Sequence, residues 1–119
     1  MPRWARYPFE IWIVPYRRTS NIFELSENEQ KDLAELMLDA SKSLDKVFDD
    51  PMPYTLAWQL SPKGYENSYH FHVCFQPIRR SKTKLKYLAG VEQITGFFLV
   101  DLPPERSARI LRGEELPDE

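Results

Sequence analysis

The stretch SYHFHVCFQP (68–77) decides how the rest of the chain is read. It holds both histidines of the sequence, His70 and His72, separated by one residue. Apolar and polar residues alternate along it, as in a strand with two distinct faces. Tyr69, Phe71, Val73 and Phe75 would point to one face, and His70, His72, Cys74 and Gln76 to the other. The stretch just upstream, PYTLAWQLS (53–61), alternates in the same way. Tyr54, Leu56, Trp58 and Leu60 share one side, and Thr55, Ala57, Gln59 and Ser61 the other. Between them lies a polar turn with Pro62, Gly64 and Asn67. Two strands joined this way pair antiparallel, and opposed residues share a face. Gln59 is therefore expected over the same surface as the histidines.

The remaining elements fall around this hairpin. YPFEIWIVP (7–15) reads as a strand, with Phe9, Ile11 and Ile13 on one side and Glu10, Trp12 and Val14 on the other. SENEQKDLAELMLDASKSLDKVFDD (26–50) reads as a helix opened by a Ser26/Glu29 capping box. Its core stripe would be Leu33, Leu36, Met37, Ala40, Leu44, Val47 and Phe48. The prolines that follow stop it. IRRSKTKLKYLAGVE (78–92) reads as a basic loop ending in a helical turn, and QITGFFLVD (93–101) as a fourth strand. PPERSARILR (103–112) reads as a short last helix, with Ala108, Ile110 and Leu111 inward. The order strand, helix, three strands, helix predicts an α+β domain, an antiparallel sheet with helices on one face. The opposite face, carrying the histidines, is left for a ligand or another domain.

Bulk properties narrow the function classes. The 119 residues make one domain's worth of chain, with 42% apolar residues and a net charge of −2. Acidic and basic residues are mixed, which gives no reason to expect nucleic acid or a membrane surface as partner. No stretch approaches the roughly 20 apolar residues of a membrane span. The N-terminal apolar run is interrupted by Pro8, Glu10 and Pro15, unlike a signal peptide. Cys74 is the one cysteine, so no internal disulfide forms, and a reducing, cytoplasmic setting is expected. A strand so close to the first residue is compatible with a piece of something longer. The acidic tail RGEELPDE (112–119) is expected to fray.

Three features could carry chemistry. Imidazoles at alternate strand positions can face a common point, as metal ligands or with one of them as a nucleophile. They can equally be half-exposed strand residues paired with neighbours. Two histidines make half of a tetrahedral zinc site. Cys74 on the same face is either a third ligand or a small buried apolar residue. The basic run Arg79, Arg80, Lys82, Lys84 and Lys86 is either a phosphate clamp or a solvated loop. Gly90 permits a tight turn, and Glu92 is an acceptor suited to sugar hydroxyls or a surface charge.

The combination is more specific than its parts. RYPFEIWIVP, PYTLAWQLSP, YHFHVCFQPIRRSKTKLKYLAGVE and DLPPERSARILR follow in this order. Together they resemble the C-terminal domain of galactose-1-phosphate uridylyltransferases, in the histidine-triad superfamily, over nearly the whole chain. The resemblance implies a histidine-triad-like antiparallel sheet. It also implies a place in galactose metabolism, as a truncated or split part of a UDP-glucose–hexose-1-phosphate uridylyltransferase, a nucleotidyltransferase. In that family a histidine of an N-terminal His-Pro-His motif attacks the α-phosphate of UDP-glucose, and the uridylyl group passes to galactose-1-phosphate. These 119 residues contain no His-Pro-His. By resemblance, Lys86, Tyr87, Ala89, Val91 and Glu92 contact the sugar of the UDP-hexose. His70 and His72 match a His-x-His that binds zinc or iron in some members. There a further histidine follows the Trp of the preceding strand, where this chain has Gln59, and a carboxylate comes from the N-terminal half. The implied partners are UDP-hexose, hexose-1-phosphate, and either a second copy of the chain or a separate N-terminal half. Two rival readings are a free-standing histidine-triad-like nucleotide hydrolase or transferase using His72, and a non-catalytic nucleotide-sugar-binding or assembly module. The triad pattern expects a third histidine where Cys74 stands.

Overall fold

A computed structural model describes residues 1–3, 5–85, 90–97 and 104–115. The chain forms two compact units, Met1–Leu88 and Ala89–Glu119. The first holds strand β1 (Ile11–Ile13), a single 3-10 turn (Ile22–Glu24), helix α1 (Glu27–Lys46), strands β2 (Tyr54–Gln59) and β3 (His72–Pro77), and a small hairpin of β4 (Arg79–Ser81) and β5 (Lys84–Leu85). The second holds α2 (Gly90–Thr95) and α3 (Pro104–Leu111).

The main sheet is antiparallel with β3 at its centre, in the order β1-β3-β2. Leu56 opposes Phe75 and Gln59 opposes His72 across the β2–β3 pair. Trp12 opposes Cys74 across β1–β3. The alternation expected of 68–77 is met within the strand. Phe71, Val73 and Phe75 are buried together with Leu25, Ala40, Leu44 and Met52. Ile11, Ile13, Leu33, Met37, Phe48 and Leu56 pack around them, so α1 covers this face of the sheet. Aromatic pairs seal its edges: Tyr54 lies 5.0 Å from Phe75, and Phe9 meets Phe48 edge-on at 5.7 Å.

The loop between β2 and β3 does not hang free. Ser61 N donates to Ser20 O at 2.8 Å, and Phe71 N donates to Thr19 O at 2.7 Å. The 19–20 segment thus bridges the loop end of the hairpin. Arg18 adds a side-chain hydrogen bond to the Asn67 carbonyl.

Several expectations need correction. β1 spans three residues, because Phe9 takes a positive φ of 63° and Glu10 N turns back to Tyr7 O at 3.3 Å. In α1 the buried stripe runs through Ala40 and Leu44, while Leu36 and Val47 are exposed, the latter capping the helix end. The basic stretch is not all loop: Arg79 pairs with Leu85 and Ser81 with Lys84 around a turn at Lys82 and Thr83. Residues 93–95, read as the start of a strand, are helical in α2. Thr95 Oγ1 donates to Val91 O at 2.7 Å, and Gly96, with φ of 76°, closes the helix through Gly96 N to Glu92 O at 3.0 Å. The rest of that strand, 98–101, lies outside the described residues. The last helix forms where expected, with Ala108 and Ile110 half-buried; the Leu111 side chain lies outside the described set.

Three stability tests follow from α1. The capping box is complete, with Glu29 N bonded to Ser26 Oγ at 3.3 Å and Ser26 N to Glu29 Oε2 at 2.8 Å. Ser26→Ala is expected to cost about 1 kcal/mol in urea denaturation. Leu44, 1% exposed, is expected to cost about 3 kcal/mol as Leu44→Ala. Hydrogen bonds from Arg17 and from the Ser26 backbone hold the Glu29 carboxyl down at about 2, against 4.5 ordinarily. A depressed carboxyl stabilises above its ordinary value, and the effect is lost as pH falls from about 4.5 toward about 2. The melting temperature should fall across that window, and fall less in Glu29→Gln. An equal fall in both proteins would contradict this.

Candidate functional site

The histidine face of the sheet is built by register. Trp12 and Ala57 flank Cys74 from the two neighbouring strands, and Gln59 sits across from His72. The expectation that Gln59 shares a surface with the histidines is met, because opposed residues of an antiparallel pair point the same way. The face is not bare: Glu10, Ala57 and Cys74 are buried.

His72 is held on it by a hydrogen bond and two ring contacts. Its Nδ1 lies 2.9 Å from the His70 carbonyl oxygen. A carbonyl only accepts, so this hydrogen bond places the proton on Nδ1 and leaves the lone pair on Nε2. The Trp12 ring stacks on the imidazole at 4.6 Å and 25°, and the Tyr69 ring at 6.0 Å and 24°. Tyr69 was expected on the Phe71 face. The chain is still turning there, with Ser68 N and Tyr69 N both bonded to Tyr65 O, so strand alternation does not yet apply.

His70 precedes the strand and is half-buried. Its Nε2 is buried without a hydrogen-bond partner. A buried polar atom left unpaired costs about 1–3 kcal/mol, so His70 calls for a partner on this face.

Cys74 is 3% exposed, and its thiol is pushed up to about 11, first by burial and then by the Glu10 carboxylate. It stays protonated at neutral pH, and thiolate is the form that ligates metal. No group of three or more His, Cys, Asp or Glu among the described residues is placed to hold an ion. Gln59 occupies the position opposite His72 without supplying a metal-binding nitrogen. The described residues therefore do not fit zinc or iron by themselves.

Glu10 was not recognised as part of this site from the sequence. It is 4% exposed, yet its carboxylate is fully engaged. Oε2 accepts from Arg6 N at 3.1 Å and Tyr7 N at 3.3 Å, and Oε1 accepts from Trp12 Nε1 at 2.6 Å. The available signal was a carboxylate inside an apolar run, two residues before a tryptophan.

The basic segment is divided in use. Arg79 donates to Asp50 Oδ2 at 2.6 Å, with its side chain only 15% exposed, so it is already spent on a carboxylate. The Arg80 side chain lies outside the described set, and Lys82 and Lys84 are exposed near the hairpin turn. Of the five expected sugar-contact positions, 86, 87 and 89 lie outside the described residues. Val91 is exposed and Glu92 half-buried, both in the first turn of α2.

Comparison with known proteins places this arrangement. The sequence profile of the family described as galactose-1-phosphate uridyl transferase, C-terminal domain, matches residues 1–119. The galactose-1-phosphate uridylyltransferase of Thermotoga maritima is 37% identical over 98% of this chain and 37% of its own length. That of Rattus norvegicus is 31% identical over 94% of this chain and 31% of its own. A solved uridylyltransferase structure superposes with a TM-score of 0.68 at 34% identity, covering 95% of this chain and 37% of that one. The chain spans about a third of the length of these relatives. It belongs to the galactose-1-phosphate uridyl transferase C-terminal domain family.

Proposed function

We propose that the chain works as the C-terminal, nucleotide-sugar-contacting part of a UDP-glucose–hexose-1-phosphate uridylyltransferase. The observation that carries this reading is the family match across the whole chain, coupled with the absence of a His-Pro-His motif from it. The nucleophilic imidazole then belongs to an N-terminal half, whether in the same polypeptide or another. The His72 environment supports this division. Its ring is stacked with Trp12 and Tyr69, and buried Cys74 stands where a histidine triad would carry its third member.

In this reading Lys86, Tyr87, Ala89, Val91 and Glu92 contact the hexose of UDP-hexose, with Glu92 as the acceptor for sugar hydroxyls. Arg79 and Arg80 are the candidates for a phosphate contact; Arg79 is bonded to Asp50, so the contact falls first to Arg80 and the lysines. The partner is the N-terminal half, alone or within a dimer, and the setting is cytoplasmic, in keeping with a single cysteine that remains a thiol. If zinc or iron binds, His70 and His72 provide at most two ligands and the others come from outside the described residues.

Two experiments test this. The chain alone should form no UDP-galactose from UDP-glucose and galactose-1-phosphate. Mixing it with a polypeptide carrying the His-Pro-His half should produce activity. Turnover by the chain alone, with an acid-labile adduct on His72 that is lost in His72→Ala, would overturn the reading in favour of a free-standing transferase. Elemental analysis of the purified chain should find zinc and iron well below one equivalent. A full, tightly held equivalent that disappears in His70→Ala would show that this face holds a metal unaided.

A further inference from the structure

The observations on Glu10, Trp12 and His72 connect. A carboxylate at 4% exposure is costly to bury unless its oxygens are bonded. Two of the donors that satisfy Glu10 are backbone amides, Arg6 N and Tyr7 N, in the turn that precedes β1. That turn is itself closed by Glu10 N donating to Tyr7 O at 3.3 Å. The carboxylate is thus fixed by main chain, not by a mobile side chain. Its other oxygen takes the indole N–H of Trp12 at 2.6 Å, a charge-assisted and therefore strong hydrogen bond. The indole so held lies against the imidazole at 4.6 Å and 25°.

The imidazole needs such a support. Its one hydrogen bond among the described residues, Nδ1 to His70 O at 2.9 Å, fixes one point of the ring. Rotation about the side-chain bonds would carry Nδ1 away from the carbonyl, break that bond and free the ring to take the other tautomer. Two neighbouring rings oppose this rotation: Trp12, anchored by Glu10, and Tyr69, carried by the turn before the strand.

We propose that Glu10 and Trp12 are positioning residues for His72: the buried carboxylate anchors the indole, and the indole holds the imidazole with Nδ1–H toward the His70 carbonyl and Nε2 as the lone-pair atom. This goes beyond the proposed function in assigning Trp12 of β1 and the preceding Glu10 to the histidine face. It rests on that reading only for what Nε2 finally meets.

The test is NMR on the full 119-residue chain with labelled histidine, at a pH where imidazoles are neutral. Long-range proton–nitrogen spectra report which ring nitrogen carries the proton. In the unmodified chain, His72 should appear as a single Nδ1–H tautomer, with ring-proton resonances moved upfield by the stacked rings. Trp12→Phe keeps an aromatic ring but removes the N–H that Glu10 holds. Glu10→Gln keeps the size but loses the charge. Both should reduce the upfield shift and give a mixture of tautomers, while circular dichroism from α1 stays unchanged. Should Glu10→Gln fail to fold, Trp12→Phe decides alone. A His72 protonated on Nε2 in the unmodified chain, or shift and tautomer unaltered in the folded Trp12→Phe protein, would overturn the proposal. Neither result depends on uridylyl transfer, so failure here and failure of the complementation assay are distinguishable.

Discussion

The antiparallel register of β3 with its two neighbours is the constraint on which the rest of the structure depends. β3 is the central strand, and its two faces have different tasks. Phe71, Val73 and Phe75 supply the apolar surface against which α1 packs. Cys74 and His72 alternate with them and look the other way. A slip of one residue would send the phenylalanines out and the imidazole into the core, at the cost of several buried side chains at once. Hydrophobic burial on one face therefore dictates which groups appear on the other. Position on the histidine face is inherited from packing on the core face.

What appears there is mostly made of groups satisfied within the fold. Glu10 has three donors, the Trp12 indole has a carboxylate, and His72 has a carbonyl and two ring neighbours. Cys74 is silenced by burial and a nearby negative charge. Against this background the Nε2 of His70 is buried without a hydrogen-bond partner. A half-domain that contributes to a shared site would carry such a group, ordered by its own fold and completed elsewhere. The nucleotide-sugar contacts of the proposed function fall on the segment that runs from β5 into α2, a separate stretch of chain from the histidine strand.

Periodicity made the hairpin of β2 and β3 legible from sequence, because alternating apolar residues and a polar turn leave one register that buries a face. The Ser26 capping box and the Ala40 and Leu44 spacing did the same for α1. Less was legible where local conformation departs from the pattern. Phe9 adopts a positive φ that a bulky residue rarely takes, and this cut β1 short. The β-branched and aromatic residues of 94–97 masked a short helix whose real signal was Gly96 as its closing residue. The pairing of β1 with β3 joins strands far apart in sequence, and nothing local announces it. The Glu10–Trp12–His72 contact was therefore invisible until the sheet order was known, although each residue had been placed on the correct side of its own strand.

The register can be tested with a single introduced thiol. Ala57 stands directly opposite Cys74, the only native cysteine. Opposed residues in antiparallel strands have Cα atoms roughly 4.5–5.5 Å apart, within the span of a disulfide. On mild oxidation, Ala57→Cys should form an intramolecular disulfide with Cys74 and lose both free thiols, while Leu56→Cys and Trp58→Cys, on the opposite face, should keep theirs. Cross-linking through position 56 or 58, with Ala57→Cys left reduced, would mean that β3 is shifted by one residue and that the histidine face is not as described.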